Sequence, residues 1–220
     1  MTASLAWVLG GLLVTLAGCC LLDRHLRRAC LVFIVFALVM SLTWWQLGTP
    51  WLAAGEALLG SLLTGAALLH GLGRAGDVPR LEQRDTTVHR GGEAPVRWFA
   101  ALGWLILTAL AMAGLLVTER LSLDAAGTLA LVPFAMVVIA LGLWAFAHHR
   151  HLLRRLLAFN VLGSGVFLLL AGLAGHGPEV QGLILVGLAV ALVGSVLGVL
   201  LLRRLHALED SVTLETEAGP

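Results

Sequence analysis

Seven stretches of about twenty mostly apolar residues punctuate this chain, at residues 4–22, 29–49, 51–73, 98–118, 125–147, 153–174 and 180–202. A helix needs roughly 20 such residues to cross the hydrocarbon core of a bilayer. The runs do not alternate apolar and polar residues, as the strands of a closed membrane barrel must. The expected fold is therefore an all-α integral membrane protein with seven transmembrane helices. Only 12% of the 220 residues are charged, about half the share in soluble domains. A net charge of +1 excludes nucleic-acid binding by bulk basicity.

Arginine sets the expected direction of threading. Basic residues stay on the cytoplasmic side of a membrane protein, and all 14 basic residues here are arginine. With seven alternating spans, Arg24, Arg27, Arg28, Arg74, Arg80, Arg84, Arg90, Arg97, Arg150, Arg154, Arg155, Arg203 and Arg204 fall on one side and Arg120 alone on the other. This places the N-terminus outside and the C-terminus in the cytoplasm. Leu16-Ala17-Gly18-Cys19 has the look of a lipoprotein cleavage box, but residues 1–15 hold no basic residue. A secretory signal needs a positive n-region, so the first run reads as an uncleaved span.

Residues 1–73 form a three-span module, 74–97 a polar cytoplasmic linker, 98–206 a four-span module and 207–220 an acidic tail, expected to be mobile, with Glu209, Asp210, Glu215 and Glu217. The linker is too short to build a soluble core. No phosphate-binding glycine loop, carboxylate pair or nucleophile beside a base is present, so no catalytic residue is assigned and an enzyme is not expected. Cys19, Cys20 and Cys30 lack metal-ligand spacing. His148, His149 and His151, beside Arg150, read as solvated span-end residues rather than ligands. Neither a metal nor a cofactor is expected.

Glu56 is the exception among thirteen acidic residues: it lies six residues into the third span, where the others occupy loops, span ends or the tail. An acid at that depth costs on the order of 2–3 kcal/mol and marks a partner, a hydrated cavity or an ion path. In an unbroken α-helix Gly60 and Thr64 share its face, with His70 close to it. Glu56, Thr64 and His70 are thus candidate members of a proton or cation path; structural hydrogen bonding of Glu56 and an interfacial place for His70 are the alternatives. Asn160 is a candidate polar contact between helices. Gly187, Ala191, Ser195 and Gly198 form a small-residue stripe suited to close helix packing, within the chain or against another subunit. Pro133 is expected to kink the fifth span. Trp44, Trp45 and Trp51 read as an aromatic belt at the outer turn.

The segment Leu47-Gly48-Thr49-Pro50-Trp51-Leu52-Ala53-Ala54-Gly55-Glu56-Ala57-Leu58-Leu59-Gly60 resembles the D-type subunit of membrane-bound hydrogenases. The same module occurs at the C-terminal part of the large A subunit of Mrp-type sodium/proton antiporters. Pro50, Ala53, Glu56, Ala57 and Gly60 carry the match, and Glu56 falls on the family's glutamate; its aspartate and threonine are Trp51 and Gly55 here. Residues 125–206 resemble the C-type subunit of those antiporters, related to the small K subunit of respiratory complex I, through residues 150–170 and through Pro178, Gln181, Leu183 and Leu185. Where that relative carries membrane glutamates, this chain has Asn160 and Val193.

The resemblance implies a bacterial inner-membrane subunit of a multisubunit cation/proton antiporter or a related ion-pumping complex. Its partners would be antiporter- or hydrogenase-type membrane subunits, and its ions protons and possibly sodium. The alternatives are a non-translocating subunit that docks larger antiporter-like subunits, and a self-contained transporter.

Overall fold

The structure, a computed structural model, describes residues 3–23, 25–72, 131–149 and 151–217. Every element among them is a helix: α1 (Ala3–Leu22), α2 (Leu26–Gln46), α3 (Pro50–Gly71), α4 (Val132–His148), α5 (Leu152–Ala174) and α6 (Pro178–Glu217). Stretches within α1, α2, α3, α5 and α6 are long and apolar enough to cross a membrane; α4, with 17 described residues, is shorter. Six of the seven expected spans thus coincide with a helix, and the span at 98–118 lies outside the described residues. This is a multi-pass membrane protein.

Local chemistry fixes the ends of these helices. The α2–α3 turn closes through Gly48, whose φ of 77° is the left-handed conformation that ends helices and favours glycine. Thr49 then turns its hydroxyl back to donate to Trp44 O at 2.8 Å, and Pro50 opens α3, where its missing N–H is of no consequence. Pro133 stands in the first turn of the described helix α4; the turn before it, on which the expected kink depends, lies outside the described residues. The acidic tail departs from expectation: α6 runs on through it to Glu217. Nothing between Arg204 and Glu217 is glycine or proline, and a helix already nucleated gains a hydrogen bond with each residue added.

Glycines decide how closely the helices approach. A Cβ at Gly142 on α4 would stand 2.9 Å from the backbone of Leu162 on α5, and one at Gly165 3.0 Å from Ile139 N on α4. At each contact a glycine on one helix lets the backbone of the other come close, the mode of association open to helices in lipid. The stripe on α6 faces the same helix: a Cβ at Gly187 would meet the Phe167 ring at 2.6 Å, and one at Gly198 the Leu156 methyls at 3.1 Å.

The described arginines gather at one end of the bundle. Arg154 at the start of α5 reaches the end of α1, and Arg203 near the lipid-crossing limit of α6 meets His70 at the end of α3. Gly71 lies against Val199 and Leu153. Leu131 precedes the opposite end of α4. Gly142→Ala is expected to destabilise the chain by about 1–3 kcal/mol, because the obstruction is backbone and cannot swing aside. Reversible unfolding of the full chain in mixed micelles measures it.

Candidate functional site

Glu56 is enclosed. Only 1% of its surface is exposed, although it lies six residues, roughly 9 Å, from the start of α3. Its carboxyl rests over Gly60, where any side chain would collide with Oε1. The indole of Trp44 on α2 approaches it. Even so, neither Trp44 Nε1 nor Glu56 Oε2 completes a hydrogen bond of normal geometry. No described cation pairs with the carboxyl. A Leu185 methyl from α6 fills the space over the neighbouring Gly55.

The helix is irregular at this point. From Glu56 to Thr64 it takes the wide π form, which bonds i to i+5 and recurs at functional sites. Hydroxyl groups answer the altered ladder: Ser41 Oγ donates to Ala53 O at 2.7 Å and Thr64 Oγ1 to Leu59 O at 2.7 Å, while Ser61 Oγ donates across to Ile34 O of α2 at 3.4 Å. Freed backbone groups in a span are met by such nearby side chains. Glu56, Gly60, Ser61 and Thr64 all face inward.

His70 does not join them. Two π turns hold more residues than two α turns, which carries His70 roughly half a turn from the phase an unbroken α-helix would give it. It is exposed, and its Nε2 accepts from an Arg203 N–H on α6. The structure therefore brings Glu56 and Thr64 to one buried face and sets His70 apart from them.

In the other half the buried polar contact is between Asn160 and Ser195. Asn160 Nδ2 donates to Ser195 Oγ at 2.8 Å and to Leu156 O at 2.9 Å, and the Ser195 hydroxyl donates to Asn160 Oδ1 at 3.2 Å. The amide and one member of the small-residue stripe thus form a single polar clasp between α5 and α6. Ala191 and Gly198 are partly buried along the same helix.

Sequence reasoning missed three participants. Trp44, read as a belt residue with Trp45 and Trp51, is fully buried, while those two are 62% and 79% exposed. Arg154, read as a loop cation, is 2% exposed; it donates from Nη1 to Leu21 O at 3.0 Å and from Nη2 to Asp23 O. His149 was expected in solvent and is instead buried, its Nε2 at 3.0 Å from Leu21 O. The carbonyls that end α1 have no partners within their own helix, and these two side chains supply them.

A relationship to known proteins is visible in the C-terminal part of the chain. Residues 130–217 match the family NADH-ubiquinone/plastoquinone oxidoreductase chain 4L. The match covers α4, α5 and α6, the part whose sequence resembles the K subunit of complex I, and it extends through the helical tail. It does not reach the segment around Glu56. No curated protein and no solved structure matches the chain.

Removing either side of the Asn160–Ser195 clasp by alanine is expected to cost about 0.6 kcal/mol, with a ceiling near 1.7 kcal/mol, the range found for hydrogen bonds between helices in lipid. A double-mutant cycle on micellar unfolding should return a coupling energy of that size. Additive effects would mean the two residues act separately.

Proposed function

We propose that this chain is a membrane subunit of a multisubunit monovalent cation/proton antiporter, or of a related complex I-like ion pump, in the bacterial cytoplasmic membrane. Glu56 lends its carboxyl to a proton or cation path that partner subunits complete. The observation that carries this reading is the enclosure of Glu56: a carboxyl buried in a span, with one oxygen unbonded and no cation beside it among the described residues. A charge left so within a membrane is costly, and ionisable residues retained there serve ion pathways. The match of residues 130–217 to a chain 4L family supports membership of a large membrane complex. The similarity of residues 47–60 to the D-type and A-type antiporter segment supports the role of Glu56.

In this reading Thr64 lies further along the buried face, and His70, paired with Arg203, belongs to the rim of the route at the arginine end. That end faces the cytoplasm by the positive-inside rule. Gly71 and Leu131 stand at opposite ends of the bundle, as seven spans require. Reporter fusions test this directly: an N-terminal fusion should report the outer side and a C-terminal one the cytoplasm, and the same side for both would refute an odd span count.

Glu56→Gln keeps the shape of the side chain and removes its titration. Vesicles carrying the assembled variant complex should lose proton/cation exchange, while the complex is recovered intact on gentle extraction. Gly60→Ala, which pushes Oε1 aside while leaving the titratable group in place, should lower exchange as well.

A second reading, a subunit that only docks larger partners, draws on the family-matching half. Between Leu156 and Leu202 its ionisable residues are His176 and Glu179, both at the α5–α6 turn, and its buried contact is a neutral amide–hydroxyl pair. Undiminished exchange by assembled Glu56→Gln complex would favour it.

A further inference from the structure

Where α4, α5 and α6 meet at the arginine end, they leave a groove of about 290 Å³. Its walls are Phe146, Leu152, Leu156, Phe159, Leu201 and Leu202, its floor includes Gly198, and one charged side chain, Arg155, stands in it. Several of the walls face outward, away from the bundle: Phe146, Leu152, Phe159 and Leu201 are all substantially exposed.

Arg155 is held rather than free to wander. Its Nε donates to Phe146 O at 3.1 Å, one of the carbonyls left over at the end of α4. Its guanidinium carbon lies 5.5 Å from the centre of the Phe146 ring, within cation–π range. These contacts occupy one of five N–H donors and fix the plane of the group. Both terminal nitrogens lack a protein partner among the described residues. A guanidinium fork presented in this way matches the geometry of a phosphate. Arg204, exposed on α6, comes three residues after the groove-lining Leu201, and residues at that spacing are neighbours on a helix surface.

A second groove, between α3 and α6, is lined by Ala66, Ala67, His70, Val196, Val199 and Leu200. The cation at its mouth, Arg203, is already engaged by His70. The groove with the uncommitted fork is the one that can take an anion.

We propose that the Arg155 groove binds an anionic phospholipid, with the phosphodiester on the terminal nitrogens of Arg155, Arg204 as a second cation, and an acyl chain along Leu156, Phe159 and Leu201. Charge and polarity run in the order such a lipid presents, a cation at the end of the span and hydrocarbon beneath it. Basic pockets between spans are established binding places for anionic headgroups. The inference needs the chain to lie in a membrane and is independent of any role for Glu56.

Native mass spectrometry of the full chain in detergent, offered equal amounts of phosphatidylglycerol and phosphatidylcholine with the same acyl chains, tests the site. The wild-type chain should retain phosphatidylglycerol over phosphatidylcholine by about fivefold or more, as one surface arginine contributes about 1 kcal/mol towards an anionic lipid. Arg155→Gln should abolish the preference, and Arg155→Lys should restore it in part, since charge returns without the fork. Leu201→Trp, at a position 62% exposed, fills the groove without touching the core and should reduce retention of phosphatidylglycerol even where Arg155→Gln folds poorly. Free glycerol phosphate should not compete, because it lacks the chain. Equal retention of the two lipids by the wild-type chain, unchanged retention by Leu201→Trp, or displacement by glycerol phosphate would each overturn the proposal.

Discussion

Hydrocarbon offers no hydrogen bonds, so each polar group drawn into the bundle must be answered by the protein itself. That constraint shapes this molecule at every level. Helices satisfy their own interiors, and their ends and irregularities recruit side chains. Arg154 and His149 complete the last carbonyls of α1, Arg155 one of α4, Thr49 one of α2. Serine and threonine hydroxyls attend the π turns of α3. Arg154 also ties α1 to α5 across 133 positions of sequence, so the N-terminal helices and the family-matching helices are joined at their arginine end by a charged clasp. Among the described buried side-chain atoms without a hydrogen bond, the Glu56 oxygen belongs to a carboxyl, whereas Trp44 Nε1 and Trp144 Nε1 are indole donors.

The positions of the six described helices were legible because apolar runs of bilayer length leave little choice of structure. The depth of Glu56 was legible for the same reason, and the wish of Asn160 for a partner followed from its place within an apolar span. Phase was harder. Carrying α periodicity through α3 joins His70 to Glu56, and the π segment undoes that without leaving an obvious mark in the residues. Burial of individual cations was harder still. Arg154 and Arg155 are sequence neighbours in the same setting, yet one is buried and bonded to α1 while the other borders a groove; a partner more than a hundred residues away decides between them. Trp44 and Trp45 repeat the lesson, one against the carboxyl and the other turned outward. A single residue step on a helix rotates a side chain by more than a quarter turn, which adjacency in sequence conceals.

The two halves solve the problem of interior polarity differently. Around Glu56 a titratable group is enclosed by an indole and a bare glycine. Between α5 and α6 a neutral amide and a hydroxyl bond each other reciprocally. The first arrangement stays chemically open and the second is closed. The proposed division of labour between an ion-handling module and a packing module rests on that difference.

Consider finally what α6 asks of its own residues. Its inner edge is held to shape: Gly187 must leave room for a ring, Gly198 for two methyls, and Ser195 must reach an amide. Its outer edge, with Leu183, Val186, Val190, Val193 and Leu197, is largely exposed among the described residues and needs only to be oily. Shuffling those aliphatic side chains among themselves would leave the helix seated as before, whereas one extra methyl on the inner edge would not. Mutational tolerance along this rod should therefore rise and fall with every turn.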